Sequence, residues 1–184
     1  MPKYTMEMVL EYAKVFPQNA DMGDPNGNKT QKSIADKGGQ YVVNAYFTSQ
    51  DQIEKLLEEG LDPSPMNSER IKEGNEAFGI GKFMSLKRPV PDNEKTFENK
   101  NGSVTINYGG APGVVDLREG NENKRWWSYE DDGLIGNGTR AMVQFETYSN
   151  GAGVRLKNVG ILELVEYEIT TSHEDDIFNM DEVA

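Results

Sequence analysis

Residues 133–167, GLIGNGTRAMVQFETYSNGAGVRLKNVGILELVEY, hold the densest strand-like pattern in the chain. From residue 140 to residue 148 the side chains alternate, with Ala141, Val143, Phe145 and Thr147 on one face. Such alternation is typical of a strand with one buried side and one side that meets solvent or a ligand. The following residues 149–153, SNGAG, tolerate positive φ, so the pattern predicts an antiparallel hairpin with the next apolar run.

The second arm of this hairpin contains a change of phase. Val154 and Leu156 share one parity, whereas Val159 and Ile161 have the other. A straight strand cannot keep all four on one face, so the slip predicts a β-bulge or glycine bend near residues 158–160. Such bends let a long strand contribute to both walls of a small barrel, and the pattern therefore favours a barrel over a flat sheet.

Length and composition indicate one domain without covalent staples. With 184 residues the chain is long enough to bury a core, and we assign residues 1–172 to one domain and residues 173–184 to a tail. It has no cysteine, which excludes disulfides and cysteine-ligated zinc and fits a reducing cytoplasm. The first residues lack the pattern of a signal peptide, and no apolar run approaches the roughly 20 residues that span a bilayer. We expect a soluble protein that is not exported.

Strands dominate the rest of the chain. The pattern predicts strands over residues 6–16, 41–48, 78–90 and 103–108. Between them it predicts a long loop over residues 17–40, a proline-containing connection over residues 62–75, a polar turn over residues 92–102 and a glycine-rich loop over residues 109–116. One helix is predicted over residues 49–60, where Thr48 or Ser49 can cap the start and Gly60 ends it. The fold class is therefore mainly β, as an OB-like barrel of five to six strands with one inserted helix.

Motifs for catalysis are scarce. The chain has a single histidine, His173, and no nucleophile elbow, phosphate-binding loop or paired metal-ligand spacing. Asp24, Asn26 and Asn28 resemble the start of a calcium loop, but Lys29 and Ala35 occupy the places of its glycine and glutamate, which favours a plain loop. As an exposed long loop, it could also serve as an arm over a ligand. We expect no enzyme, metal or cofactor, with a carboxylate-only magnesium nuclease as a minor alternative.

The distribution of charged residues along the chain is more informative than the net charge. A net charge of −12 argues on its face against a polyanionic ligand. However, cations and aromatic residues cluster on three predicted segments, and single-strand binders combine a cationic groove with rings on which bases stack. The alternative is that the rings belong to the core and the cations form a solvated face. The candidate DNA-contacting residues are Lys82, Phe83, Lys87, Arg88, Tyr108, Lys124, Arg125, Trp126, Trp127, Arg140, Tyr148, Arg155 and Lys157.

The tail, HEDDIFNMDEVA, is too acidic and too poor in apolar residues to fold alone, so disorder is expected. Its functional interpretation is a peptide that docks on partner proteins and mimics phosphates in the chain's own groove. The alternative is a terminus that only aids solubility. The candidate partner-binding residues are Asp175, Asp176, Ile177, Phe178, Asp181 and Glu182.

Four segments carry a family resemblance. They are residues 79–90, residues 108–116 (YGGAPGVVD), residues 134–148 (LIGNGTRAMVQFETY) and residues 153–167 (GVRLKNVGILELVEY). Together they resemble the single-stranded DNA-binding proteins of tailed bacteriophages, particularly the podovirus type. That family has a Pro-x-Val-Val-Asp turn, an Ile-Gly-Asn-Gly-Ser/Thr start to a strand, and an Arg-Leu-x-x-Val strand that ends in Leu-Val-x-Tyr. The match covers about the last 110 residues and the tail.

The resemblance implies an OB fold and sequence-independent binding of single-stranded DNA in phage replication, recombination and repair. It also implies a location in the cytoplasm of the infected bacterial host, and an acidic tail that contacts replisome proteins such as polymerase and helicase-primase. The resemblance leaves undecided whether the protein forms a homodimer. The DDIF sequence at residues 175–178 is similar to the tip peptide of bacterial single-strand binders, but six residues follow it here.

A protein of another class explains the net charge more simply. An acidic β-barrel that mimics DNA, or that inhibits a host enzyme, would carry −12 without binding DNA at all. A lone positive groove on an acidic body distinguishes the two hypotheses, because a DNA mimic has no use for one.

Overall fold

The computed structural model describes residues 2–62, 69–120 and 125–167. They form ten strands and three helices. The strands are β1 (Lys3–Lys14), β2 (Gln40–Phe47), β3 (Lys72–Glu73), β4 (Lys82–Pro89), β5 (Glu94–Asn99), β6 (Gly102–Asn107), β7 (Gly113–Asp116), β8 (Arg125–Trp126), β9 (Thr139–Tyr148) and β10 (Gly153–Glu163). The helices are α1 (Lys29–Asp36), α2 (Gln50–Glu58) and α3 (Tyr129–Asp132). The protein is mainly β, as the sequence predicts.

Eight strands form one mixed sheet in the order β3-β4-β2-β1-β9-β10-β7-β8. The pairings are antiparallel except for β10 with β7, which is parallel. The hairpin β5–β6 forms a separate two-stranded sheet. Because β1 lies at the centre of the ladder and β9 beside it, the N-terminal strand and the predicted hairpin share one core.

The hairpin of β9 and β10 confirms the opening prediction. Its two strands pair antiparallel, and Val143, Phe145, Leu156 and Ile161 are fully buried. The register shifts between Leu156 and Asn158 and again between Ile161 and Glu163, so the predicted bulge is present at the start of the expected segment. The predicted helix is also present as α2, with Gln52 Oε1 accepting from the backbone N–H of Thr48 at 2.8 Å.

The prediction of a closed OB-like barrel of five to six strands is wrong for the described residues. Their large sheet does not close, because its edge strands β3 and β8 do not pair with each other. Strands β4 and β10 lie side by side without a ladder, and Arg88 bridges them by donating to the carbonyl of Leu156 at 3.4 Å. The bend in β10 does occur. However, β7 pairs with β10 in parallel, and this pairing extends the sheet instead of closing it.

Three predicted loops contain regular structure. The loop over residues 17–40 contains α1, whose N-cap Asn28 accepts from the N–H of Gln31 at 3.0 Å. The predicted polar turn over residues 92–102 contains β5, and the glycine-rich loop after residue 108 contains β7. Before α1, Asp24 Oδ1 accepts from the N–H of Asn26 at 2.8 Å, as in an ordinary turn. Among the described residues no group of side chains is arranged to hold a metal ion.

Most of the core is formed by the inner face of the large sheet, and α2 adds Ile53 and Leu56 to it. Its largest fully buried side chains include Phe47, Phe145, Met8, Leu10 and Leu56. In the described part of the chain, no helix has the length and apolarity needed to cross a membrane. The tail, with its six candidate partner-binding residues, lies outside the described residues.

Candidate nucleic-acid interface

A groove of about 890 Å³ opens between α1, the end of β4 and the start of β10. Its charged lining residues are strongly biased in sign, since seven are cationic and one is acidic. The whole chain has 19 Lys and Arg against 31 Asp and Glu, so chance would make this lining acidic. The charged lining residues are Lys29, Lys37, Glu69, Arg70, Lys72, Lys87, Arg88 and Arg155. The chain therefore segregates over a third of its cations into one concave surface.

Four exposed lysines form the accessible part of this charge. Lys29 is the first residue of α1, Lys37 is its C-cap and Lys72 lies on β3. Lys87 is the outward residue between the buried Leu86 and Arg88 of β4. Within residues 2–62, 69–120 and 125–167, none of these four forms an ion pair. We call them the groove lysines. Flexible ammonium groups of this kind bind phosphate as point charges.

Arg88 has a different role, because its guanidinium is used within the protein. It donates from Nη2 to the carbonyl of Gly109 at 2.6 Å and from Nε to that of Gly110 at 2.8 Å. Burial lowers the pKa of Arg88 from its ordinary value, and the nearby Arg155 adds to this effect. Arg88 thus fixes the loop after Tyr108 against β4 and β10 at the wall of the groove.

Arg155 lies between two tyrosine rings at the groove. Its Cζ atom is 5.3 Å from the ring centroid of Tyr108 and 5.1 Å from that of Tyr148. Glu146 on β9 holds the guanidinium, with 2.8 Å from Nε and 2.6 Å from Nη2 to its Oε1. The ring of Tyr148 lies where a Cβ on Gly153 would be, so only glycine permits this placement. The result is a fixed aromatic-cation stack that we call the Tyr-Arg-Tyr stack.

The groove therefore brings together five of the predicted site residues, namely Lys87, Arg88, Tyr108, Tyr148 and Arg155. Four further cations, Lys29, Lys37, Arg70 and Lys72, were missed by the sequence analysis. Lys29 and Lys37 belong to the long loop for which a functional arm was considered. Arg70 and Lys72 lie within the proline-containing connection of residues 62–75, and nothing in their local pattern indicates a site.

Other predicted site residues lie outside the groove lining. Phe83 packs on Tyr46 with ring centroids 4.9 Å apart, and Lys82 donates to Gln50 at 3.4 Å. Arg140 pairs with Glu7 at 3.1 Å and with Glu163 at 3.5 Å. These three residues make contacts within the protein and do not line the groove, and their role in binding DNA stays a prediction.

Lys157 is half-buried near the groove. Its Nζ lies 3.9 Å from Oε1 of Glu146, and burial lowers its pKa from the ordinary value against the opposing effect of that carboxylate. It is not a lining residue of the groove, but it lies two residues along β10 from Arg155.

The predicted Arg-Trp-Trp cluster separates into three roles. Arg125 pairs with the fully buried Asp116 at 2.9 Å and with Asp132 at 2.7 Å, so it stabilises the corner of β7, β8 and α3. Trp127 is buried and donates from its indole nitrogen to the carbonyl of Gly133 at 2.9 Å. Trp126, between them, is 72% exposed. Lys124 lies outside the described residues.

Comparisons with known proteins add a similarity at low sequence identity. No family model and no curated protein matches the chain. Among solved structures, the chain is similar to the single-stranded DNA-binding protein from bacteriophage Enc34, with 13% identity and a TM-score of 0.42. The match covers 96% of this chain and 89% of that one. That protein is of the class that the sequence resembles.

Proposed function

We propose that this protein binds single-stranded DNA without sequence preference, in the groove between α1, β4 and β10. One observation carries the proposal: seven cations and one carboxylate line a concave surface on a chain of net charge −12. Concentrating cations against the overall charge is costly, because like charges repel across the groove. A bound polyanion would neutralise these charges and so remove the repulsion between them.

The groove chemistry fits a single strand whose sequence is not read. The groove lysines are exposed and reach phosphates, which position a nucleic acid but carry no sequence information. Arg88 and Arg155, the side chains best suited to bidentate reading of bases, donate instead to backbone carbonyls and to Glu146. The two tyrosines offer rings for stacking, which every base can accept.

The test is a titration of fluorescently labelled oligo-dT at several salt concentrations. If the four groove lysines each neutralise one phosphate, the logarithm of the binding constant should fall with a slope of roughly −3 against the logarithm of salt. The variant K72Q/K87Q should reduce this slope by about 1.4. The control variant K14Q/K55Q makes the same change in net charge on exposed lysines outside the groove lining, and should leave the slope unchanged.

Two results would overturn the proposal. One is an absence of binding at low salt by a chain lacking its tail. The other is an equal effect of the two double variants, since the charge would then act through the whole protein and not through the groove.

We further propose that the protein acts in phage DNA replication, recombination and repair in the cytoplasm of the infected bacterial host. The acidic tail would recruit replisome proteins and compete with DNA for the groove. Two features support the competition: five carboxylates occur after His173 without any Lys or Arg, and the groove lysines have no ion-pair partner among the described residues.

The second candidate function, an acidic interaction protein that does not bind DNA, is favoured by the net charge of −12. A column of immobilised single-stranded DNA at low salt separates the two. Retention that is lost in K72Q/K87Q supports the first function, and passage of the wild-type chain without retention supports the second.

A further inference from the structure

The exposed indole of Trp126 lies on the outer face of the large sheet. Trp126 pairs with Val115 across β7 and β8, and its ring covers Gly113, where a Cβ would lie 3.1 Å from Cζ3 of the indole. The neighbouring Val114 is buried, so Gly113 and Val115 face outwards. A single exposed apolar side chain needs no explanation by itself. Trp126 is of interest because of its position relative to the groove.

The backbone that presents Trp126 is fixed on both sides. Arg125 is held by two carboxylates, those of Asp116 and Asp132. Trp127 is anchored in the core through its indole nitrogen. A rigid backbone with an exposed, uncharged ring is the arrangement that stacking on a base requires, because little conformational entropy is lost when a base binds.

The sheet register connects Trp126 to the groove. Asn158 on β10 pairs with Gly113 on β7, and its side chain donates to Gln144 at 2.7 Å. Arg155 contacts Glu146, two residues from Gln144 on the same face of β9. Arg155 and Asn158 therefore lie on one face of the sheet, separated along β10 by about 10 Å at the usual rise per residue. Lys157 lies between them, near the same Glu146.

A continuous strip thus runs from the Tyr-Arg-Tyr stack past Lys157 and Asn158 to Trp126. It has a cation in its middle and an aromatic ring at each end, which are the two elements that a single-stranded nucleic acid requires. We propose that a strand leaving the groove follows this strip and stacks a base on Trp126. This inference rests on the proposed function, because it extends the same binding site to a longer strand.

The experiment compares two lengths of labelled oligo-dT, about 4 and about 12 nucleotides, which lie within the usual range of site sizes for single-strand binders. Binding is followed by the anisotropy of the label, and Trp126 is followed through the tryptophan emission of the protein. The longer oligonucleotide should quench the emission and the shorter one should not. In W126F, where Trp127 is the remaining tryptophan, the quenching should disappear.

Affinity provides a second readout. W126A should weaken binding of the longer oligonucleotide by about 10-fold, a typical loss for one stacked base, and leave that of the shorter one unchanged. W126F retains a ring and should restore most of the affinity. The salt dependence should be the same in all three proteins, because no charge is changed.

The outcomes separate this inference from the proposed function. Binding of both oligonucleotides without any quenching, or with quenching that persists in W126F, overturns the strip and leaves the groove in place. Quenching by the shorter oligonucleotide places Trp126 within the groove and also overturns the strip. If neither oligonucleotide binds, the proposed function and this inference are both wrong.

Discussion

At the scale of single residues, neighbours in the sequence have opposite roles. Lys87 and Arg88 are adjacent, yet Lys87 is exposed in the groove and Arg88 is buried with its guanidinium donating to three backbone carbonyls. Trp126 and Trp127 differ in the same way. Alternation along β4 explains the first pair, because successive side chains of a strand point to opposite faces. In the second pair, Trp126 ends β8 and Trp127, the next residue, turns into the core.

The pair Lys87 and Arg88 gives a first prediction. R88Q should lower the free energy of unfolding by about 1 to 3 kcal/mol, because the three backbone carbonyls that accept from Arg88 lose their hydrogen-bond donor. K87Q should change stability by less than about 0.5 kcal/mol, since it alters an exposed side chain. Urea unfolding measures both. The assignment of roles would be wrong if K87Q were the more destabilising change.

Gly153 gives a second prediction. In G153A the added methyl group collides with the Tyr148 ring and moves it away from Arg155, which should weaken oligo-dT binding by several-fold, within the range of one lost stacking contact. In a Y148A background the same change should cost nothing further, because there is no ring to displace. A double-mutant cycle of affinities measures this coupling, and additive effects would contradict the stack as a unit.

At the scale of elements, the corner of β7, β8 and α3 depends on charge. The hydrogen bonds from Arg118 hold the pKa of the fully buried Asp116 below its ordinary value. Those from Arg125 lower the pKa of Asp132 from 3.8 to about 2. Arg125 and Trp127, the two neighbours of the exposed Trp126, are both held by this corner.

This corner gives a third prediction, on acid stability. A carboxyl group whose pKa is lowered on folding stabilises the protein above its unfolded pKa, and that contribution is lost as the pH falls through the folded pKa. For Asp132 the window runs from 3.8 down to about 2. The difference in free energy of unfolding between wild type and D132N should therefore be largest above this window and shrink within it. Urea unfolding at several pH values tests this, and a difference that is independent of pH would refute it.

At the scale of the whole molecule, an acidic chain carries one strongly cationic groove. Seven cations line it although acidic residues outnumber basic ones in the sequence by 31 to 19. In the function that we propose, an acidic body would also repel DNA elsewhere on its surface and so restrict a strand to the groove. The tail adds five carboxylates to the acidic part of this charge distribution.

The tail gives a fourth prediction. Deleting residues 174–184 removes five carboxylates and should tighten binding of oligo-dT at low salt, because a competitor for the groove lysines is lost. The gain should vanish at high salt, where charges are screened. A control with the five carboxylates changed to Asn and Gln, at full length, should bind as tightly as the deletion. Unchanged or weaker affinity in both would contradict competition by the tail, while leaving partner recruitment to be tested by pull-down.

Local sequence signals are enough to predict some of the strands and helices. The period-two pattern and the SNGAG turn predict β9 and β10 correctly, and the cap and the terminal glycine predict α2, because each signal lies within a few residues. The order of the sheet and the groove, in contrast, depend on contacts between distant segments of the chain. The parallel pairing of β10 with β7 joins segments about 45 residues apart, and it leaves the sheet open where a barrel was expected. The groove lysines come from α1, β3 and β4, so no window of sequence contains them together, and their shared charge arises only when long-range packing brings those elements to one surface.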